Sequence, residues 1–226
     1  MRRILDLQAA GIWRDLACEL PHARGLVVDV GCGSQPYRAL LGPEARYLGI
    51  DTVDAKENFG YEIPDTVYFD GETWPIEDES ADVVLCAETL EHVLKPAHLL
   101  AEAHRCLRPG GRLLLTVPFA ARWHFIPNDY WRFTPSSLYH LLSEAGFAEI
   151  AVYARGNAVT VACYKLMAVF LPFLVPAHGG LRARMLQLLA LLAAPLVLVL
   201  ALVGRATLTG KGGNDCLGYT VTALRH

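Results

Sequence analysis

Short runs of apolar, β-branched residues alternate with stretches of helical period along the first two thirds of the chain. Ile4, Leu5, Ile12, Trp13, Leu16 and Leu20 recur at helical spacing and predict an amphipathic lead-in helix over 4–20. Leu26-Val27-Val28-Asp29-Val30 predicts a buried strand ended by Gly31-Cys32-Gly33, and Pro36 suits the first turn of a helix. Further strands are expected at 47–51, 67–70, 82–86, 112–117 and 147–153. Helices are expected at 96–107, stopped by Arg108-Pro109-Gly110-Gly111, and at 136–145, closed by Gly146. Strands alternating with helices predict an α/β fold, a parallel Rossmann-like sheet with helices on both faces.

The pattern changes after residue 153. Residues 159–177 are almost wholly apolar, with Lys165 the only charge, and 185–203 carry no charge at all. A helix of 19 such residues reaches about 28 Å, the thickness of a bilayer core. The two runs predict an apolar helical hairpin over 158–205, which brings the protein to a membrane as a peripheral, re-entrant or two-span element; the alternative is a pair of helices buried in a soluble core or a dimer interface. Pro172, Pro176 and Pro195 suit a bent pair. Arg182 and Arg184 between the runs run against a true crossing from a cytosolic domain. Residues 219–224 then read as one more strand, so the hairpin is expected as an insertion before the last strand of a single domain over 1–226.

Composition sharpens this division. The 226 residues are 53% hydrophobic, which excludes a disordered chain. The net charge of −3 hides a split: 13 basic and 22 acidic residues through Glu149, then 7 basic and 1 acidic. The acidic part makes duplex nucleic acid an unfavourable partner. The six cysteines show no CxxC spacing, so neither zinc nor a disulfide framework is expected, and a reducing cytosol fits. No apolar secretory segment is read in Met1-Arg2-Arg3-Ile4-Leu5-Asp6.

Candidate chemistry concentrates first at Val27-Val28-Asp29-Val30-Gly31-Cys32-Gly33-Ser34-Gln35-Pro36, with Asp51 ending the next strand. Two glycines after a buried strand let backbone approach a ligand at the carboxyl end of a sheet. An acid at the tip of the second strand can accept both ribose hydroxyls of an adenosine. NAD and S-adenosylmethionine (SAM) both meet that description. They separate at Pro36, where a dinucleotide fingerprint wants a third glycine and a helix N-terminus for pyrophosphate. SAM has no pyrophosphate, and proline does it little harm.

From here the sequence resembles the class I SAM-dependent methyltransferases, in the type 11-like subgroup with GCGxxPY and HxxPxDYWRFT motifs. Phe69-Asp70-Gly71-Glu72 resembles the family's adenine-holding segment, and residues 74–82 its LPF-x-DxSFD stretch. Ala87-Glu88-Thr89-Leu90-Glu91-His92-Val93 resembles its turn after strand four, and Leu107-Arg108-Pro109-Gly110-Gly111 its LKPGG turn. These cover about residues 25–150, and Gln35 departs from a third glycine that many members carry. The resemblance implies SAM as cofactor, held by Asp29, Gly31, Gly33, Asp51, Asp70, Gly71 and Glu88. It also implies a sheet ending in a strand pair, completed here by 147–153 and 219–224.

The acceptor side is expected in the segment 124–135 after strand five, which holds a base, an acid, aromatics and a guanidinium together. Similar segments occur in methyltransferases that resemble glycan- or envelope-modifying enzymes. His124, Asp129 and His92 are the candidate catalytic groups, for a hydroxyl acceptor needs a base near its oxygen. Tyr130, Trp131 and Arg132 are the candidate acceptor contacts, and Asp129–Arg132 also reads as a structural ion pair. His92, His98 and His104, six apart, scatter around a helix and predict no metal site. The expected activity is O-methylation of a lipid-linked glycan or other small or lipophilic acceptor at the cytosolic membrane face. The alternative is a non-catalytic SAM-binding module attached to a membrane. The oligomeric state is open.

Overall fold

A computed structural model of the chain describes residues 5–53, 63–174, 180–209 and 214–226. Two compact units emerge: Trp13–Tyr153 with Tyr219–His226, and Met1–Ile12 with Ala154–Gly218.

The first unit is built on a seven-stranded sheet. Its strands are β1 (Gly25–Val30), β2 (Ala45–Thr52), β3 (Thr66–Phe69), β4 (Ala81–Ala87), β5 (Leu107–Pro118), β6 (Phe147–Arg155) and β7 (Gly218–Arg225), in the order β3-β2-β1-β4-β5-β7-β6. The pairs β1–β2, β1–β4, β2–β3 and β4–β5 are parallel. Val27, Val28, Val84, Leu113 and Leu115 are fully buried, as strands covered on both faces require. Among the described residues its α-helices are α1 (Leu7–Glu19), α2 (Pro96–Cys106) and α3 (Pro135–Glu144). Thr134 opens α3 with a capping box, its hydroxyl taking the Ser137 N–H while the Ser137 hydroxyl takes the Thr134 N–H. β7 lies between β5 and β6, so the last strand of the chain is an interior strand.

Two local expectations change. No α-helix follows Pro36; residues 36–44 make only a 3-10 turn at Arg38–Leu40. Gln35 enters it at φ +55, and Pro43 follows too soon for a longer helix. The Arg108–Gly111 turn is absorbed into β5, where pairing with β4 jumps from Ala81↔Leu107 to Val83↔Arg112. The extra residues bulge out there, with Gly110 at φ +76.

The second unit contains α4 (Ala158–Leu174) and α5 (Leu181–Thr207), which fall between β6 and β7 in the chain; the connection at 175–179 lies outside the described residues. Asn157 caps α4, its Oδ1 accepting the Val159 N–H at 3.0 Å. The helices meet through Thr160 and Thr207, whose hydroxyls are 2.8 Å apart, and at Gly204, where a Cβ would lie 3.3 Å from Cys163 Cβ of α4 and 2.5 Å from Leu7 Cδ1 of α1. Val161, Cys163, Met167, Val197 and Ala201 are buried, while Leu166, Val169, Leu191, Leu192, Leu196, Val199 and Leu202 are exposed. Among the described residues no helix is long and apolar enough to cross a membrane.

Candidate active site

Parallel pairing brings the carboxyl ends of β1 to β5 to one edge of the first unit, and the expected cofactor residues sit on those tips. Gly31 has φ +66, and a Cβ there would fall 2.4 Å from Thr89 Cγ2 on the loop after β4. Only glycine lets the two loops approach so closely. The Gly31 N–H is donated to the Ile50 carbonyl at 2.9 Å, pinning the turn over β2. Gly33, at φ +50, donates its N–H to Asp51 Oδ2 at 3.0 Å, and Thr52 donates to Oδ1 at 2.8 Å. These bonds fix the Asp51 carboxylate at the β2 tip. Burial raises its pKa, and the two backbone bonds offset that in part.

Gln35 stands where the resemblance to the family implied a third glycine. It adopts the left-handed backbone that glycine would favour and turns its side chain down to β3, donating to Thr66 Oγ1 at 2.9 Å. Its side-chain Oε1 accepts from Arg38 Nη1 at 3.0 Å. Asp29, near the end of β1, is buried and accepts a 2.7 Å bond from the Tyr47 hydroxyl. Burial pushes its carboxyl up to about 7 against the Tyr47 bond, and the nearby Asp51 charge adds to the rise. Asp70 and Gly71 stand at the β3 tip; Asp70 Oδ1 takes the Glu72 N–H at 3.0 Å, and a Cβ on Gly71 would lie 3.5 Å from Thr52. Glu88 follows β4 at φ +54, with its N–H on the Thr116 carbonyl at 2.9 Å.

This cradle fits the adenosine of SAM. A carboxylate at the β2 tip keeps lone pairs for ribose hydroxyls, and the Gly31 turn leaves backbone where a side chain would block approach. It does not fit a dinucleotide pyrophosphate, since Pro36 has no N–H and no α-helix N-terminus follows the loop.

The segment after β5 folds over the same edge of the sheet. Asp129, its side chain fully buried, takes Arg132 in a bidentate pair, Nη1 to Oδ1 at 2.6 Å and Nη2 to Oδ2 at 2.8 Å. It also accepts the His124 backbone N–H at 3.0 Å and faces His124 Nδ1 at 3.0 Å. Burial acts to raise its pKa, but the Arg132 and His124 bonds outweigh that and hold it at about 2. Asp129 is therefore a very weak base, and its geometry is that of a group that positions His124 and Arg132.

His92, in the 3-10 turn Leu90–His92, donates Nδ1–H to the Asn128 carbonyl at 2.5 Å, which leaves the lone pair on Nε2. Burial lowers its pKa, so the ring is neutral at physiological pH. Its ring stands edge-on to His124 at 5.1 Å. The loop is moored to the β4 tip by Tyr130 N–H on the Glu91 carbonyl and Trp131 Nε1–H on the Val93 carbonyl, both 2.9 Å. Tyr130 and Trp131 remain about two fifths exposed, open to an acceptor.

The structure thus brings His92, His124, Asp129 and Arg132 together. His98 and His104 lie elsewhere, on the Glu72 carbonyl and the Phe147 ring. Sequence reasoning did not single out Tyr47, Thr89 or Asn128, whose roles depend on tertiary neighbours, and it marked Gln35 only as a departure from a third glycine. Glu91 stood in a quoted motif without a role of its own.

Comparison with known proteins bears on this site. Residues 28–115 match the family model described as a methyltransferase domain. The ubiquinone biosynthesis O-methyltransferase of Ruegeria pomeroyi is 32% identical over 168 residues, covering 61% of this chain and 65% of the relative, less than two thirds of its length. The protein of the same name in Burkholderia thailandensis is 31% identical over 170 residues, covering 62% and 71%. A SAM-dependent methyltransferase of Thermotoga maritima superposes with TM-score 0.59 at 16% identity, covering 100% of this chain and 93% of its own, a likeness of fold. The chain belongs to the class I SAM-dependent methyltransferases.

Proposed function

We propose that the protein transfers a methyl group from SAM to a hydroxyl oxygen of a lipophilic small molecule or lipid-linked glycan. The observation that carries this is the pair His92–His124, held at the carboxyl edge of the sheet beside the Gly31–Asp51 cradle. SAM, when bound, supplies an electrophilic methyl group on a sulfonium. Asp51 and the Gly31–Gly33 turn hold and orient the donor. His92, neutral and with its Nε2 lone pair uncommitted to a hydrogen bond, and His124, oriented by Asp129, activate the acceptor oxygen. Tyr130, Trp131 and Arg132 line its approach. Oxygen as the accepting atom is supported by the relatives named for O-methylation in ubiquinone biosynthesis. A lipophilic acceptor reached at a membrane surface is supported by the exposed leucines and valines of α4 and α5.

The test measures methyl transfer from labelled SAM into lipid and glycan extracts, alongside SAM calorimetry. Asp51→Ala should weaken SAM binding by about 1.5–3 kcal/mol for each charged hydrogen bond lost. His92→Ala should keep SAM affinity and lower turnover by about 10²–10⁴-fold. SAM binding without transfer into any fraction would instead support a non-catalytic, membrane-attached SAM-binding module. Binding of NAD with SAM inert would overturn the reading altogether.

A further inference from the structure

Three groups beside the proposed acceptor site have a use that methyl transfer alone does not explain. One ligating atom each of Glu91, His92 and His124 lies within 4.8 Å of the other two. Both imidazoles donate Nδ1–H to fixed acceptors, His92 to the Asn128 carbonyl and His124 to the Arg122 carbonyl and Asp129. Each ring therefore presents a bare Nε2. A ring nitrogen tied to a carbonyl or carboxylate, with the other nitrogen bare, is how proteins prepare a histidine to ligate a metal. His92 Nε2 is buried, has no hydrogen-bond partner and stands 3.6 Å from Glu91 Oε1. The Glu91 side chain is fully buried at the same place.

We propose that Glu91, His92 and His124 bind one divalent first-row transition-metal ion, whose open positions take the acceptor's oxygen. The inference rests on the acceptor lying at this pair, as argued above, and specifies how the pair acts. Two imidazoles and one carboxylate leave coordination positions free, as in catalytic rather than structural sites. Metal–ligand bonds of about 2.0–2.1 Å put neighbouring ligand atoms about 3.3 Å apart, so the ligands close by up to roughly 1.5 Å on binding. A hydroxyl bound to the ion loses its proton to solvent more readily, which leaves the oxygen nucleophilic. The site joins residues from two loops, which is why the spacing of His92, His98 and His104 gave no sign of it.

The experiment uses the full chain, free of any tag and stripped with chelator. Titration with Zn²⁺, Mn²⁺ and Mg²⁺ by calorimetry, and with Co²⁺ by visible absorption, should show one equivalent bound and a cobalt spectrum typical of nitrogen and oxygen ligands. Zn²⁺ should displace the cobalt. His124→Ala and Glu91→Gln should each weaken binding by more than the about 10–100-fold that an outer-shell change costs, with SAM affinity unchanged in both. Should a variant fail to fold, the cobalt spectrum of the unaltered chain still decides. No stoichiometric uptake, or equal affinity in the folded variants, would overturn the proposal while leaving SAM binding and methyl transfer to be judged on their own assays.

Discussion

At the scale of single residues, Asp29 carries the clearest pH signature. Its folded pKa of about 7 lies above the ordinary 3.8, chiefly because it is buried. Between those values the folded chain binds more protons than the unfolded one, so stability falls as pH rises through the window and levels off above about 7. A shift of that size corresponds to about 4 kcal/mol at most. Asp29→Asn keeps an acceptor for the Tyr47 hydroxyl and removes the titration. Urea unfolding at pH 5 and pH 8 should therefore show the variant losing less stability on going to the higher pH, and parallel pH profiles would contradict the assignment. Asp51 and Gly31 were readable from sequence because an acid at a strand tip and a glycine in a tight turn are local requirements. The partners of Asp29 and Gln35 were not, because Tyr47 and Thr66 reach them from neighbouring strands.

At the scale of elements, strands were easier to read than the segments between them. β1, β4 and β5 are runs of branched apolar residues, and burial on both faces leaves such runs little alternative. The connection after β1 was misjudged, because one proline at a helix start counts for less than a second proline soon after it. In the segment 122–134 the residue types were visible, but their assignments depended on geometry. Arg132 and Asp129 form the pair on which the segment turns, so Arg132→Lys is the informative change. Lysine cannot reproduce the bidentate contact. The buried Asp129 carboxylate would lose charged hydrogen bonds worth about 1.5–3 kcal/mol, and His124 its fixed support. Thermal unfolding should shift down and the acceptor KM should rise, while SAM affinity, set by the β1–β2 cradle, stays constant. A variant with unchanged acceptor KM would mean that the loop does not contact the acceptor.

At the scale of the whole molecule, the chain order of the sheet decides what can be removed. β7 is the last element of the chain yet lies between β5 and β6, with Val221 and Ala223 buried. Truncation after Gly204 removes an interior strand and should unfold the first unit, abolishing SAM binding and the cooperative melt. The stretch 158–205 is a different case. Its composition set it apart from sequence alone, with no acidic residue between Glu149 and Asp215, and α4 and α5 occupy it. Their exposed apolar side chains, such as Leu192 at 79%, would cost far less against lipid tails than against water. Replacing 158–205 with a Gly/Ser linker should accordingly leave a chain that binds SAM, at some cost in stability because Leu7 loses its contact at Gly204. The same chain should no longer sediment with phosphatidylcholine vesicles, whereas the intact protein should. Stable SAM binding after the truncation would show that β7 is dispensable to the sheet. Undiminished sedimentation after the linker replacement would move the membrane contact away from α4 and α5, and the case for a lipophilic acceptor would then rest on the 122–134 segment alone.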